Sequence, residues 1–387
     1  MVRECIYCLK SKQLNEFTLE HVLPQFFGGA YGPDELKTRA VCKSCNSNLG
    51  LFVDAGFEKD FFVHQKLKAS AIAFFDPDNP TSLPFRCMGV SELAVPEMKD
   101  SEVCEVWLGS LGERLYWIRE KDSRLSWYSG GNPRTTKKKL SRAYYMFSER
   151  TEKNPRLSWE SFRDSLGTRK VKKLLCGSVI GANPKSIGFS DPDELDKKRI
   201  EFFLEHAYTE QHESGQIEMY MHNALRFAAK TGIGIAYCLF GKRVLKTSYA
   251  DEMYKALWYR QGTELPNVYF GDSQYNGSDD EQLKNVLGLN HAVTITLLPN
   301  EIGIGVNINI SKSLNWVIQC ALNQDLSRQD LAKIGNGKVI VLYKHLQKGF
   351  TFNYPDFIAY KTGHNKIPEL DAIYAQVDKH KDYFQSL

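Results

Sequence analysis

Three pieces of the first 46 residues decide the reading of this chain: Cys5-Ile6-Tyr7-Cys8, Phe17-Thr18-Leu19-Glu20-His21-Val22-Leu23-Pro24, and Val41-Cys42-Lys43-Ser44-Cys45-Asn46. The first and last are C-x-x-C pairs separated by 33 residues (9–41). Each pair places two thiolates on one knuckle, and two knuckles complete a tetrahedral zinc site. Four cysteines leave no open position on zinc, so Cys5, Cys8, Cys42 and Cys45 predict a structural metal rather than a catalytic one. A redox role needs a single pair in a βαβ context, which this arrangement does not offer. Around the pairs, Phe17–His21 alternates like a strand and Val22-Leu23-Pro24 leaves it. Gly28-Gly29 marks a loop, and Arg39-Ala40-Val41 reads as a second short strand. From Asn46 onward Leu49, Phe52, Val53, Phe57, Phe61 and Phe62 recur at helical spacing. The order is ββα.

Inside the cysteine gap sit Glu20 and His21, and directly after the last cysteine sits Asn46. Carboxylate and amide oxygens suit Mg²⁺ or Mn²⁺, with waters and a phosphate completing the shell. An imidazole with an ordinary pKa near 6.5 suits taking a proton from a water that attacks phosphorus. Each residue also has an ordinary reading. Glu20 is then a surface carboxylate, His21 a core histidine bonded to backbone, and Asn46 a helix N-cap. Asn48 is a substitute ligand to Asn46, and His64 reads as a packing or solvated residue.

The order Cys5-x-x-Cys8, Glu20-His21-Val22-Leu23-Pro24, Gly28-Gly29, Val41-Cys42-x-x-Cys45-Asn46, Gly50 resembles the zinc-containing HNH endonuclease module over about residues 3–60. The resemblance implies a ββα-metal fold that hydrolyses nucleic-acid phosphodiesters with one divalent ion. It implies that His21 is the general base, that Glu20 and Asn46 ligate Mg²⁺ or Mn²⁺, and that the four cysteines hold zinc. Two positions depart from the family pattern. Leu36-Lys37-Thr38-Arg39 lacks the middle Asn that fixes loop geometry, and Gly50 stands where Lys is common.

The remaining sequence predicts an α+β protein, with the ββα module at 1–70, a β-rich region with a basic segment at 71–190, and an α+β region at 191–387. Val103–Leu108, Arg114–Ile118 and Leu125–Tyr128 read as a meander. Residues 134–173 hold 13 basic against four acidic residues, a local net charge of +9. Lys137-Lys138-Lys139 is the sharpest piece of that stretch. Interleaved Tyr144, Tyr145, Phe147, Trp159 and Phe162 suit backbone contact plus stacking on nucleic acid, while a solvated charged face is the ordinary reading. Ser190-Asp191-Pro192-Asp193-Glu194 carries N-cap and first-turn chemistry for a helix through about His212, and further helices are predicted over Ile217–Ala228 and from Pro368 to about Phe384. His291–Leu298 and Ile302–Ile310 form a hairpin, and Lys338–Tyr343 another strand. Gly232-x-Gly234 and Gly303-x-Gly305 lack the context of a dinucleotide loop. His206, His212 and His222 do not share one helix face, and read as surface residues.

The 387 residues are 42% hydrophobic and 25% charged, as in folded globular proteins. The net charge of +4 excludes only a uniformly basic protein. Without an apolar run near ~18 residues or a signal-peptide core, a cytoplasmic protein is expected. An odd count of nine cysteines argues against a disulfide framework. Two functions compete. One is an HNH endonuclease acting on DNA (RNA not excluded), with a role in restriction or anti-phage defence as a family-level expectation, as a homodimer or with a partner or signal read by the C-terminal region. The other is a non-catalytic zinc-ribbon adaptor or nucleic-acid binder.

Overall fold

The computed structural model describes residues 2–121, 141–166, 170–178, 183–206, 221–272 and 279–386. In the first stretch β1 (Val2–Glu4) pairs with β2 (Ser11–Gln13), and β3 (Phe17–His21) pairs with β4 (Lys37–Cys42). Helix α1 (Lys43–Leu49) continues through a π-turn at Gly50–Asp54 into α2 (Ala55–Glu58). This is the ββα order read from the sequence. The helix begins three residues earlier than Asn46, because Cys42 is its N-cap. It also stops earlier: Asp60 caps a new helix, α3 (Phe61–Ala73), by accepting from Phe62 N and Val63 N.

The middle stretch holds β5 (Arg86–Val90), β6 (Glu102–Leu108), β7 (Arg114–Glu120), β8 (Ser141–Met146), α4 (Pro155–Leu166), β9 (Val171–Cys176) and α5 (Glu194–His206). Beyond it lie α6 (Met221–Phe240), α7 (Ser248–Leu257), β10 (Phe270–Asp272), α8 (Asp279–Leu287), β11 (Val293–Pro299), β12 (Gly303–Ile310) and β13 (Leu314–Leu322). The chain closes with α9 (Arg328–Ile334), β14 (Lys338–Tyr343), β15 (Lys348–Asn353), α10 (Tyr354–Lys361), α11 (Pro368–Tyr374) and α12 (Lys381–Ser386). The single closing helix expected from Pro368 is broken in two, and Asp378 between the halves takes a left-handed φ of 54°.

These elements form two compact units, each assembled from separated stretches: residues 1–58 with 220–377, and residues 59–219 with 378–387. The sequence reading divides the chain at 70/71 and 190/191 instead, since composition follows chain order and packing does not.

In the first unit an antiparallel sheet runs β10-β13-β12-β11-β14-β15. Its apolar face carries Ile295, Ile308, Trp316 and Ile340, which occupy paired positions on neighbouring strands. Gly232 lets α6 approach that face: a Cβ there would lie 2.8 Å from Met253 Cε and 3.5 Å from Ile318 Cγ2. The ββα segment shares this core. Phe57 of α2 stacks on Phe227 of α6 at 4.0 Å and 7°, and meets Trp316 of β13 edge-on at 4.8 Å. Phe26 and Phe27 pack on Phe227 at 5.8 and 5.4 Å. The N-terminal module therefore buries its apolar side against residues from the far end of the chain.

In the second unit the sheet runs β5-β6-β7-β8-β9, antiparallel except for β8 and β9, whose parallel pairing uses α4 as its crossover. One face packs Phe85, Trp107, Tyr145 and Phe162, the other Tyr116, Tyr144 and Phe203. The expected strand at Leu125–Tyr128 lies outside the described residues.

Candidate metal and nuclease site

The zinc site rests on two local turns. Leu9 N donates to Cys5 O at 2.9 Å and Cys5 N to Lys10 O at 3.1 Å, closing the first knuckle, with Leu9 at φ 56°. The second pair straddles the start of α1, and Cys42 N donates to Cys5 Sγ at 3.4 Å. The four sulfurs lie within 4.8 Å of one another, the one group of three or more His, Cys, Asp or Glu side chains so placed among the described residues. Zn–S bonds of about 2.3 Å in a tetrahedron separate sulfurs by roughly 3.8 Å, so the geometry fits. A hydrogen bond from Cys45 pulls the Cys5 pKa down to about 4 and pushes that of Cys45 well up. Four thiols this close lose all their protons only around a cation.

The β3–β4 pair carries the motif residues to the same region. A register shift falls between Thr18 and Glu20, at the end of the strand where a bulge re-aims side chains. The loop that follows is held without a middle Asn. Val22 N donates to Leu36 O at 3.1 Å, and Phe27 N and Gly29 N both donate to Pro24 O. Gly29 is obligatory there, because a Cβ would lie 1.7 Å from Leu23 O.

His21 is half-buried, and its Nδ1 is buried without a hydrogen-bond partner. Asn46 lies inside α1 rather than at its cap. Its Nδ2 donates to Thr18 Oγ1 and to Leu19 O, both at 3.0 Å, which ties the helix to the strand end. The amide nitrogen is thus used and the acceptor oxygen remains. Asn48 only reaches Ser44 Oγ on its own helix, at 3.5 Å. Glu20 is not a surface residue: it is 3% exposed. Its Oε1 lies 3.0 Å from Lys230 Nζ in a buried ion pair. Burial raises the Glu20 pKa against the lowering effect of Lys230. A carboxylate oxygen of Glu20 and the amide oxygen of Asn46 are donors of the kind Mg²⁺ or Mn²⁺ takes. The ammonium beside Glu20 works against a second cation.

Lys230 and Asp54 were not foreseen. Lys230 Nζ also donates to Asp54 Oδ2 at 2.6 Å, and its side chain is 3% exposed. Burial disfavours its charge, but Asp54 and Glu20 outweigh that and raise its pKa. Asp54 is raised by burial. Gly234, one turn along α6, permits the approach: a Cβ there would lie 2.7 Å from Val22 Cγ1 and 3.0 Å from Tyr7 Oη. The available signal was a lysine within the apolar run Phe227-Ala228-Ala229-Lys230-Thr231-Gly232, since lysine is rarely buried unpaired.

Elsewhere, His64 packs in the second unit with Nε2 3.1 Å from Phe85 O, and burial pushes its pKa down to about 4. His206 stacks on Phe202 at 4.1 Å. Lys137, Lys138 and Lys139 lie outside the described residues. Within the described part of the basic stretch, Arg142 and Lys172 both pair with Asp193 and with fully buried Asp196. Part of the positive excess is therefore met inside the fold. No helix among the described residues is long and apolar enough to cross a membrane.

Residues 5–62 match the family model described as HNH endonuclease. No curated protein and no solved structure matches the chain.

Proposed function

From the premise that residues 5–62 form an HNH endonuclease domain, we propose that the protein is a metal-dependent nuclease that hydrolyses phosphodiester bonds in DNA. One observation supports the reading: Asn46 Nδ2 donates to Thr18 Oγ1 and Leu19 O, which ties Asn46 to the strand that carries Glu20 and His21. In this reading Glu20 and Asn46 hold a Mg²⁺ or Mn²⁺ ion through oxygen. When bound, such an ion supplies charge stabilisation for the phosphorane-like transition state and the leaving oxygen. His21 takes the proton of the attacking water at Nδ1. A buried nitrogen without a partner costs free energy unless a water or ligand bonds it, and Nδ1 is such an atom. The zinc site fixes the two knuckles, and through them β4 and α1, without touching substrate.

The basic stretch around Lys137–Lys139 is proposed as the surface that follows the nucleic-acid backbone. A role in restriction or anti-phage defence belongs to the same proposal. The test is cleavage of supercoiled plasmid with Mg²⁺ or Mn²⁺ and its suppression by chelator, with RNA as competitor. Intact plasmid under every metal refutes the DNA reading, and preferential loss of RNA replaces the substrate. One observation favours a second reading, a non-catalytic zinc-ribbon binder: Glu20 is buried in an ion pair. It then serves only to anchor the strand, and Glu20→Ala and His21→Ala leave nucleic-acid binding unchanged.

A further inference from the structure

Arginine keeps its charge in any fold, so two arginines held near each other without an acid call for an outside anion. The corner between α6 and α7 holds such a pair. Arg226, in the first turns of α6, is half-buried, and its Nε donates to Leu257 O at 3.3 Å, the last residue of α7. Arg260 follows three residues later and is exposed. Burial, and after it the charge of Arg260, pulls the Arg226 pKa down. Neither arginine meets a carboxylate among the described residues. By contrast, Lys242, Arg243 and Lys338 of the same unit meet Glu4, Asp330 and Glu35. Glu252, close by on α7, is committed to Lys255 and to Asn267 N. Between the two arginines Trp258 ends α7 and stays 42% exposed.

This corner is fastened to the N-terminal module on two sides. Asn223 Nδ2 of α6 lies 3.5 Å from where a Cβ on Gly56 of α2 would stand. Tyr254 Oη of α7 donates to Ile6 O, in the first zinc knuckle, at 2.8 Å. Arg226 precedes Lys230, the partner of Glu20, by one turn of α6, about 6 Å along the axis. We propose that the α6–α7 corner receives the substrate strand, with Arg226 and Arg260 meeting its backbone phosphates and Trp258 stacking on an unpaired base. This rests on the nuclease reading of residues 5–62. Phosphate supplies the negative charge that the corner lacks, and the planar fork of arginine matches its oxygens. The indole supplies a face that any base can use.

The experiment measures binding of a fluorescein-labelled single-stranded oligodeoxynucleotide to the full-length, zinc-loaded protein by anisotropy, without added divalent ion, between about 50 and 200 mM NaCl. Bound zinc is measured alongside as a check on folding. Arg226→Gln and Arg260→Gln are each expected to reduce the slope of log K against log salt by about 0.7. Trp258→Ala is expected to weaken binding about tenfold at an unchanged slope. If Arg226→Gln loses zinc, the other two variants decide. Wild-type slopes in the arginine variants, or wild-type affinity in Trp258→Ala, overturn this inference, as does failure of the wild type to bind the single strand. Where the wild type still nicks plasmid, the nuclease reading survives each of these results. A wild type that neither binds DNA nor nicks it overturns both.

Discussion

Replacing Phe227 by alanine removes a ring that is 1% exposed and belongs to α6, far in sequence from every zinc ligand. The ring stacks on Phe57 at 4.0 Å, meets Phe27 edge-on at 5.4 Å and touches Phe26 at 5.8 Å. Phe→Ala in a packed core costs about 3–5 kcal/mol, and that figure includes aromatic pair terms of about 0.5–1.5 kcal/mol each. All three partner rings lie between the first and last residues of the ββα segment, so the loss falls on the N-terminal module. With a urea m-value of about 2–3 kcal/mol/M, the unfolding midpoint should drop by roughly 1–2.5 M. The assay is urea unfolding followed in parallel by circular dichroism and by zinc release to a chromophoric indicator. Zinc release is expected to move with the helix signal, since the knuckles and α6 share one core. A Phe227→Ala zinc-release curve that overlays the wild type refutes the shared core and makes residues 1–58 an independent ribbon.

Two further outcomes are expected. Cys45→Ser should abolish zinc binding and the order of α1, while the sheet signal of residues 59–219 persists, because its strands contain none of the four ligands. Metal analysis with limited proteolysis checks this. His64 has a pKa near 4 in the fold against about 6.5 unfolded. The unfolded state therefore binds the extra proton between these values, and stability falls as pH drops from about 6.5 to about 4, by at most about 3 kcal/mol. His64→Gln should flatten that part of the stability profile in urea titrations at fixed pH values, and an unchanged slope contradicts the assignment.

Local signals in the sequence survive folding. The cysteine pairs, β3 at Phe17–His21, the β11–β12 hairpin and β14 all sit where spacing and alternation place them. The family of the N-terminal module was legible for the same reason: its motifs lie within 58 residues, at 5–62. What was not legible depends on contacts across the chain. Glu20 looks solvent-facing on a short strand until α6 arrives with Lys230, about two hundred residues later. Asp54 looks like a surface residue of a helix until the π-turn aims it at the same ammonium. Gly234 reads as half of a weak nucleotide motif, yet it is the gap through which α6 meets Val22 and Tyr7. Boundaries slipped for a simpler reason: Cys42 is an unusual N-cap with no side-chain hydrogen bond, so the start of α1 carries no capping signal.

The central claim is that His21 performs chemistry at the end of β3. It is tested most directly by comparing wild type and His21→Ala for nicking of supercoiled plasmid under single-turnover conditions with Mn²⁺, at matched zinc content. Loss of the proton acceptor should slow nicking by about 10²- to 10⁴-fold while DNA binding, read by anisotropy, stays within roughly threefold. Equal nicking rates in the two proteins, or no nicking by either, contradict the account.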